Sequence, residues 1–263
     1  MSGQTIRFQD GEAYDRGMGR WSRLAADIFL DWVAPDPGLR WIDIGCGSGA
    51  FTEAVVQRHA PTEIVGVDPS EAQIAFARTR PTTTAATFES GDAQALRFEA
   101  DRFDAAAMAL VIFFVPDPAK GVAEMARVVR PGGIVATYAW DMAGGGFPFH
   151  PIQAELRAMG ITPPLPPTVG ASDLGVMREL WTNAGLEMIE TRVIEVTRTF
   201  TDFDDLWVSS TITGSIGPTV AGMTPDALSA LRERVRSRLP APAADGSISY
   251  QSRANAIKGR VPR

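Results

Sequence analysis

The 263 residues hold a single cysteine and two histidines. Cys46 on its own excludes an internal disulfide framework and a multi-cysteine metal site, and with only His59 and His150 beside it no catalytic zinc is expected. Long apolar runs are missing too. The longest, Ala105–Val115, has 11 residues, too short to cross a bilayer. The polar opening MSGQTIRFQDGEAYDRG lacks the apolar centre of a signal peptide, so a cytoplasmic protein with no membrane partner is expected. Positive charge is also scarce: the net charge of −6 argues against broad nucleic-acid affinity. The balance is uneven, because residues 228–263 carry eight Lys or Arg against Glu233 and Asp245, which leaves −12 on the remainder. Arg232, Arg234, Arg236 and Arg238 read as a solvated helix face, with a phosphate-bearing partner as the alternative.

What is present is an ordinary globular composition, 45% apolar and 21% charged, sufficient for a single α/β domain over residues 1–263. Its organising stretch is Trp41–Gly49, WIDIGCGSG: an apolar strand, an acidic residue near its end, then glycines alternating with small residues. Gly45 lets the chain leave the strand at an angle that a Cβ resists, Gly47 clears space for a ligand at the backbone, and Gly49 allows close helix packing. Gly45, Gly47 and Ala50 also satisfy the dinucleotide fingerprint, with Asp68 near the distance of a ribose carboxylate. Asp43 weighs against a pyrophosphate there and in favour of a ligand carrying an ammonium group.

Around this turn the chain alternates. Trp21, Leu24, Ala25, Ile28 and Trp32 fall at helical spacing, with Arg23, Asp27 and Asp31 opposite. Strands are predicted at Leu39–Ile44, Ile64–Val67, Ala85–Phe88 and Phe103–Phe114, with helices after Gly49, from Ser70 to about Arg80, and from the Asp117-Pro118 cap through Val129. Pro131, Gly132 and Gly133 stop that helix before a fifth strand, Ile134–Trp140. His59 closes the first crossover helix, where it reads as a charge partner of the helix end. The glycine- and proline-rich stretches AGGGFPFHP and ITPPLPPTVG predict irregular surface. Leu174 to Ala184 is then a helix, Leu186–Phe200 a strand, Thr224 to Leu239 a helix, and Gly246–Lys258 a last strand.

Asp43, Gly45, Gly47 and Gly49 match the acidic residue and G-x-G-x-G of the class I S-adenosylmethionine-dependent methyltransferases, and the segment AYDRGMGRWS is similar to that of small-molecule members with UbiE-like or type 11 cores. The resemblance implies a Rossmann-like, mostly parallel seven-stranded sheet in the order 3-2-1-4-5-7-6 with helices on both faces. It implies a cofactor-binding core over residues 14–141, with 143–171 and 201–240 as insertions forming a lid. S-adenosylmethionine is the implied cofactor. Asp68 would accept the ribose hydroxyls, Pro69 and Gln73 would adjoin the adenine pocket, Asp92 and Ala93 would read adenine, and the Ala109 and Leu110 carbonyls would meet the amino group. Cys46 belongs to the same loop, Arg20 would pair with the cofactor carboxylate, and Tyr14 would cover the site. His150 is the candidate base should a hydroxyl acceptor have to lose its proton, although methyl transfer obliges no acid or base. The implied activity is methylation of a small molecule. An NAD(P)-dependent oxidoreductase, a nucleic-acid methyltransferase and a non-catalytic S-adenosylmethionine-binding protein are the alternatives.

Overall fold

Residues 15–80, 85–212 and 216–263 are described by the structure, a computed structural model. The apolar runs become strands β1 (Arg40–Ile44), β2 (Glu63–Asp68), β3 (Ala86–Ser90), β4 (Phe103–Ala109), β5 (Val129–Trp140), β6 (Glu187–Phe200) and β7 (Ile248–Arg260). They form one sheet in the order β3-β2-β1-β4-β5-β7-β6. The first five run parallel, and β7 lies antiparallel between β5 and β6, as the resemblance implies. A parallel sheet is apolar on both faces because crossover helices cover both. Ile42, Ile64, Ala105, Ala106 and Val135 are accordingly shut off from solvent.

The helices are α1 (Arg20–Val33), α2 (Ala50–His59), α3 (Glu71–Ala77), α4 (Pro118–Val128), α5 (His150–Ala158), α6 (Leu174–Asn183), α7 (Phe203–Thr211), α8 (Gly217–Ala221) and α9 (Pro225–Arg238). The buried stripe of α1 is rotated from the expected one: Trp21, Ala25, Phe29, Leu30 and Val33 are inside, while Leu24, Ile28 and Trp32 are only partly covered. Each large side chain fully buried on this face contributes about 1.5–3 kcal/mol. The acidic face leans on α2, where Arg58 donates to Asp27 at 2.7 Å and pairs with Asp31. His59, beside it, sits in the last turn of α2; burial and the neighbouring Arg58 lower its pKa, and the Asp31 charge opposes them.

Three further expectations are corrected. The strand predicted to reach Phe114 ends at Ala109, because Leu110 turns left-handed at φ 63° and Ile112–Phe114 wind into a short 3-10 turn. An apolar run carries no mark of that turn. The helix predicted through Val129 stops at Val128, and β5 starts at once: Val129 pairs with Phe103, the register shifts over Arg130–Gly133, and pairing resumes at Ala105 and Ile134. Pro131 lacks a donor for the ladder, so the strand bulges there. The stretch after β5 is not all irregular surface, since Phe147 and Phe149 are buried and lead into α5, whose Ile152 and Leu156 are buried as well.

The basic helix α9 turns Arg234, Arg236 and Arg238 to solvent, as expected, but the face is ion-paired. Arg234 and Arg238 both reach the buried Glu155 of α5, at 2.7 and 2.6 Å, and Arg232 donates to Asp204 of α7. This ion pairing binds the 201–240 helices to α5 and leaves few of these arginines to meet an external phosphate. Among the described residues, no helix is long and apolar enough to cross a membrane.

Candidate active site

At the carboxyl ends of β1 to β5 lies a cleft of about 770 Å³, within the usual range of small-ligand sites. Ligands gather there in open α/β sheets because the order reverses beside β1, so the loops after β1 and β4 diverge and leave a crevice. Adjacent strands stand roughly 4.8 Å apart, so a cleft reaching from β3 to β5 is about 19 Å wide. That is room for a nucleoside and a second small molecule side by side.

Of the residues singled out in the sequence, Asp43, Gly45, Cys46, Gly47, Asp68, Pro69, Gln73, Asp92, Ala93, Ala109 and Leu110 all line this one cleft. The glycines divide their work much as their spacing suggests. At Gly45 (φ 74°) an added Cβ would lie 2.5 Å from both methyls of Val111, whereas at Gly47 (φ 50°) it would meet nothing within 4 Å. Gly49 does not line the cleft; its Cβ would crowd Ala77 and Phe88 at 3.2 and 3.3 Å, which is the close helix packing expected of it.

Asp43 is fully buried at the floor. Thr52 Oγ1 donates to its Oδ2 at 2.6 Å, while Oδ1 accepts no hydrogen bond among the described residues. Burial pushes its pKa up to about 7; the Thr52 hydrogen bond opposes this and the Asp68 charge adds to it. A buried carboxylate oxygen without a donor is costly unless a ligand supplies one. Asp68 accepts from the N–H of Gly47 at 2.9 Å and of Ser70 at 2.8 Å, so it fastens the glycine turn to the end of β2. Burial raises its pKa and those two donors hold it back. Burial next to these carboxylates also pushes the Cys46 thiol well up, which keeps it protonated and unreactive. Asp92, exposed on the turn after β3, is held by Gln94, whose backbone N–H donates at 2.9 Å.

Besides Gly49, two predicted residues among those described are not brought to the cleft. Arg20 is exposed on α1 and does not line it, although Ser22 and Arg23 on the same helix do. His150 stands at the start of α5 and packs its ring over Gly145, away from the lining residues. Burial, with Arg157 and Arg238, lowers its pKa. Tyr14 lies outside the described residues. Of segment 143–171, Leu165, Pro166 and Pro167 line the cleft, and none of the described residues of 201–240 does.

Sequence reasoning missed several contributors. Arg80 donates to the Ser48 carbonyl at 2.5 Å and to Glu53 at 2.7 Å, stapling the glycine turn from α3's far end, and nothing in its surroundings in the chain announces this. Tyr138 lines the cleft from β5 and could have been found, since it stands at the carboxyl end of a strand next to β4. Phe114, Val115 and Pro116 also line it, once β4 is seen to end early. Among the described residues no cluster of His, Cys, Asp and Glu is placed to hold a metal ion.

A family model described as a methyltransferase domain matches residues 42–137. The chain is 34% identical over 145 residues to the demethylmenaquinone methyltransferase of Renibacterium salmoninarum, covering 53% of this chain and 56% of that one. It is 32% identical over 129 residues to the ubiquinone biosynthesis O-methyltransferase of Hahella chejuensis, covering 48% and 53%. The chain thus spans about half the length of these curated relatives. Among solved structures, phosphoethanolamine N-methyltransferase 2 of Haemonchus contortus in complex with S-adenosyl-L-methionine superposes with a TM-score of 0.58 at 21% identity, over 96% of this chain and 57% of that one. A cyclase, SpnF, superposes with a TM-score of 0.55 at 19% identity, over 100% and 88%, so the fold by itself does not choose the reaction. Residues 42–137 thus match a methyltransferase domain model, and the sheet order and the acidic glycine turn agree with that match.

Proposed function

We propose that this protein transfers a methyl group from S-adenosylmethionine to a small-molecule acceptor. The observation that carries the reading is Asp43, a buried carboxylate with one oxygen lacking a donor, at the floor of a cleft whose glycine turn leaves open space at Gly47. An ammonium supplies that donor and a pyrophosphate does not, which disfavours NAD(P). The remaining lone pairs of Asp68 suit vicinal ribose hydroxyls, and Asp92 with Ala93 stands where an adenine edge would lie. When bound, the cofactor supplies an electrophilic methyl on a sulfonium.

The chain's own residues then position and enclose. Asp43 and the backbone of Ala109 and Leu110 orient the amino-acid end, Asp68 orients the ribose, and Phe51, Phe114 and Tyr138 exclude water from the reacting atoms. Transfer from a sulfonium obliges no acid or base, and in this reading positioning and desolvation carry the acceleration. The lid role expected of 143–171 narrows to Leu165–Pro167. Carboxylates on or just after three strands make the cleft a poor host for a polyanion, which weighs against a nucleic-acid substrate. The quinone methyltransferases among the relatives support a small organic acceptor.

Calorimetry with S-adenosylmethionine, S-adenosylhomocysteine and NAD tests this. Micromolar-range binding of the first two and none of NAD is expected, followed by methyl transfer from labelled cofactor in an acceptor screen. Tight NAD binding with no response to S-adenosylhomocysteine would sink the assignment.

A further inference from the structure

The cleft is electrically lopsided. Asp43, Asp68 and Asp92 stand on or just after β1, β2 and β3, whereas the lining from β4 and β5 consists of Ala109–Val111, Phe114–Pro116 and Tyr138, with no charge. Leu165, Pro166 and Pro167 complete that uncharged side, and Arg23, from α1, is the cation among the described lining residues.

The Leu165–Pro167 strap raises a physical question. It belongs to the run Pro163–Pro164–Leu165–Pro166–Pro167, in which four prolines leave a single backbone N–H, that of Leu165. Such a run is stiff and extended but has almost nothing of its own with which to fasten itself. Thr168 is the first residue past it with both a backbone and a side-chain donor. Its N–H donates to the Phe113 carbonyl at 3.1 Å, and its hydroxyl stands 2.9 Å from the carbonyls of both Phe113 and Val115. Those carbonyls belong to the turn after β4, itself part of the cleft wall. One residue therefore joins two wall segments that lie about fifty positions apart in the chain.

We propose that Thr168 is a positioning residue of the acceptor site, holding the Leu165–Pro167 strap against the turn after β4 so that their joint uncharged wall selects a neutral, apolar-faced acceptor. This rests on the methyl-transfer reading of the cofactor end. Leu165 is 42% exposed while lining the cleft, which places it at the mouth, where an entering molecule meets it first. A charged acceptor would leave its water at this wall and gain no partner there.

Three fluorescent probes of one shape separate the possibilities: naphthol, naphthylmethylammonium and naphthyl phosphate, titrated into protein saturated with S-adenosylhomocysteine. Naphthol should bind at least about tenfold more tightly than either charged analogue. Thr168→Val, which keeps the shape and removes the hydroxyl, should weaken naphthol about tenfold and raise the acceptor KM more than it lowers kcat, and Thr168→Ser should restore both. Leu165→Glu, at an exposed position that tolerates the change, should abolish naphthol binding and leave S-adenosylhomocysteine affinity within about threefold. Equal or tighter binding of a charged probe, or naphthol binding indifferent to Thr168→Val, would overturn the proposal. Failure of S-adenosylhomocysteine to bind would instead overturn the reading of the cofactor end, while naphthol selectivity sensitive to Thr168 would still support the wall.

Discussion

Mild acid should release the cofactor well before it unfolds the protein, with Asp43 setting the midpoint. The Asp43 carboxyl is fully buried, takes one hydrogen bond from Thr52, and keeps Oδ1 without a donor. An ammonium docked on Oδ1 favours the ionised form and draws the pKa back down, so binding to the protonated protein must expel a proton. With burial having pushed the free pKa up to about 7, the Kd of S-adenosylhomocysteine should weaken about 25-fold from about pH 7.5 to about pH 5.5. Calorimetry in two buffers of different ionisation enthalpy should count about half a proton released per binding event near pH 7.

The ligand-free protein shows the other side of the same linkage. Its folded pKa lies above that of the unfolded chain, so the stability gained by protonation is complete below the ordinary carboxylate value and is lost as pH rises through about 7. At alkaline pH the ionised group then costs about 4 kcal/mol, roughly three pH decades at 1.36 kcal/mol each. Asp43→Asn should abolish the proton release, flatten and weaken binding, and raise the Tm of the ligand-free protein relative to wild type more at about pH 8 than at about pH 5. A wild-type Kd independent of pH, with no proton released, would refute the reasoning.

Two further substitutions follow from the geometry. Gly45→Ala should cost about 2–4 kcal/mol by denaturant unfolding, from a left-handed backbone and a clash with a β-branched neighbour, while Gly47→Ala should cost less stability and instead weaken S-adenosylhomocysteine, since its Cβ enters open space at the wall; equal unfolding costs would argue against that division. At the opposite sheet end, the Arg40 guanidinium beside Asp104, together with Arg130, holds this carboxyl well below the usual range. Asp104→Asn should therefore lose about 1–2 kcal/mol at neutral pH, discounted for half-exposed arginines, and the difference should vanish as pH falls through the depressed value; a deficit that persists in acid would mean the loss is steric.

The half of the cleft proposed to hold the cofactor is legible because its chemistry restricts residue type. Gly45 holds a left-handed turn that Val111 closes to a Cβ, Gly47 leaves open space at the wall, and Asp68 accepts from the Gly47 and Ser70 N–H groups. The strands showed as apolar runs, while their order came from the family likeness, since periodicity says nothing about neighbours across a sheet. The acceptor half was not legible in the same way. Leu165–Pro167 lines the cleft next to Thr168, which bonds to a segment about fifty positions away, and Leu110 breaks an apolar run by its backbone angle rather than its side chain. Arg20 and His150 lie close to cleft-lining segments in the chain, and the fold leaves both out of the lining.

The place of β7 has a consequence for how the chain is made. It is the last strand in sequence, yet it lies between β5 and β6, and β6 has no other neighbour in the sheet. Until β7 leaves the ribosome, the flank of β5 from Ile134 to Trp140 stands as an open apolar edge, and β6 has nothing to pair with. Closing the Ile134–Arg260 pair spans most of the second half of the chain, a slow, high-contact-order step. A nascent molecule that holds β1 to β5 can thus assemble the cofactor cradle early while still offering an aggregation-prone edge. Destabilising β7 should damage yield and solubility far more than the chemistry of the cleft, whose lining residues it does not supply.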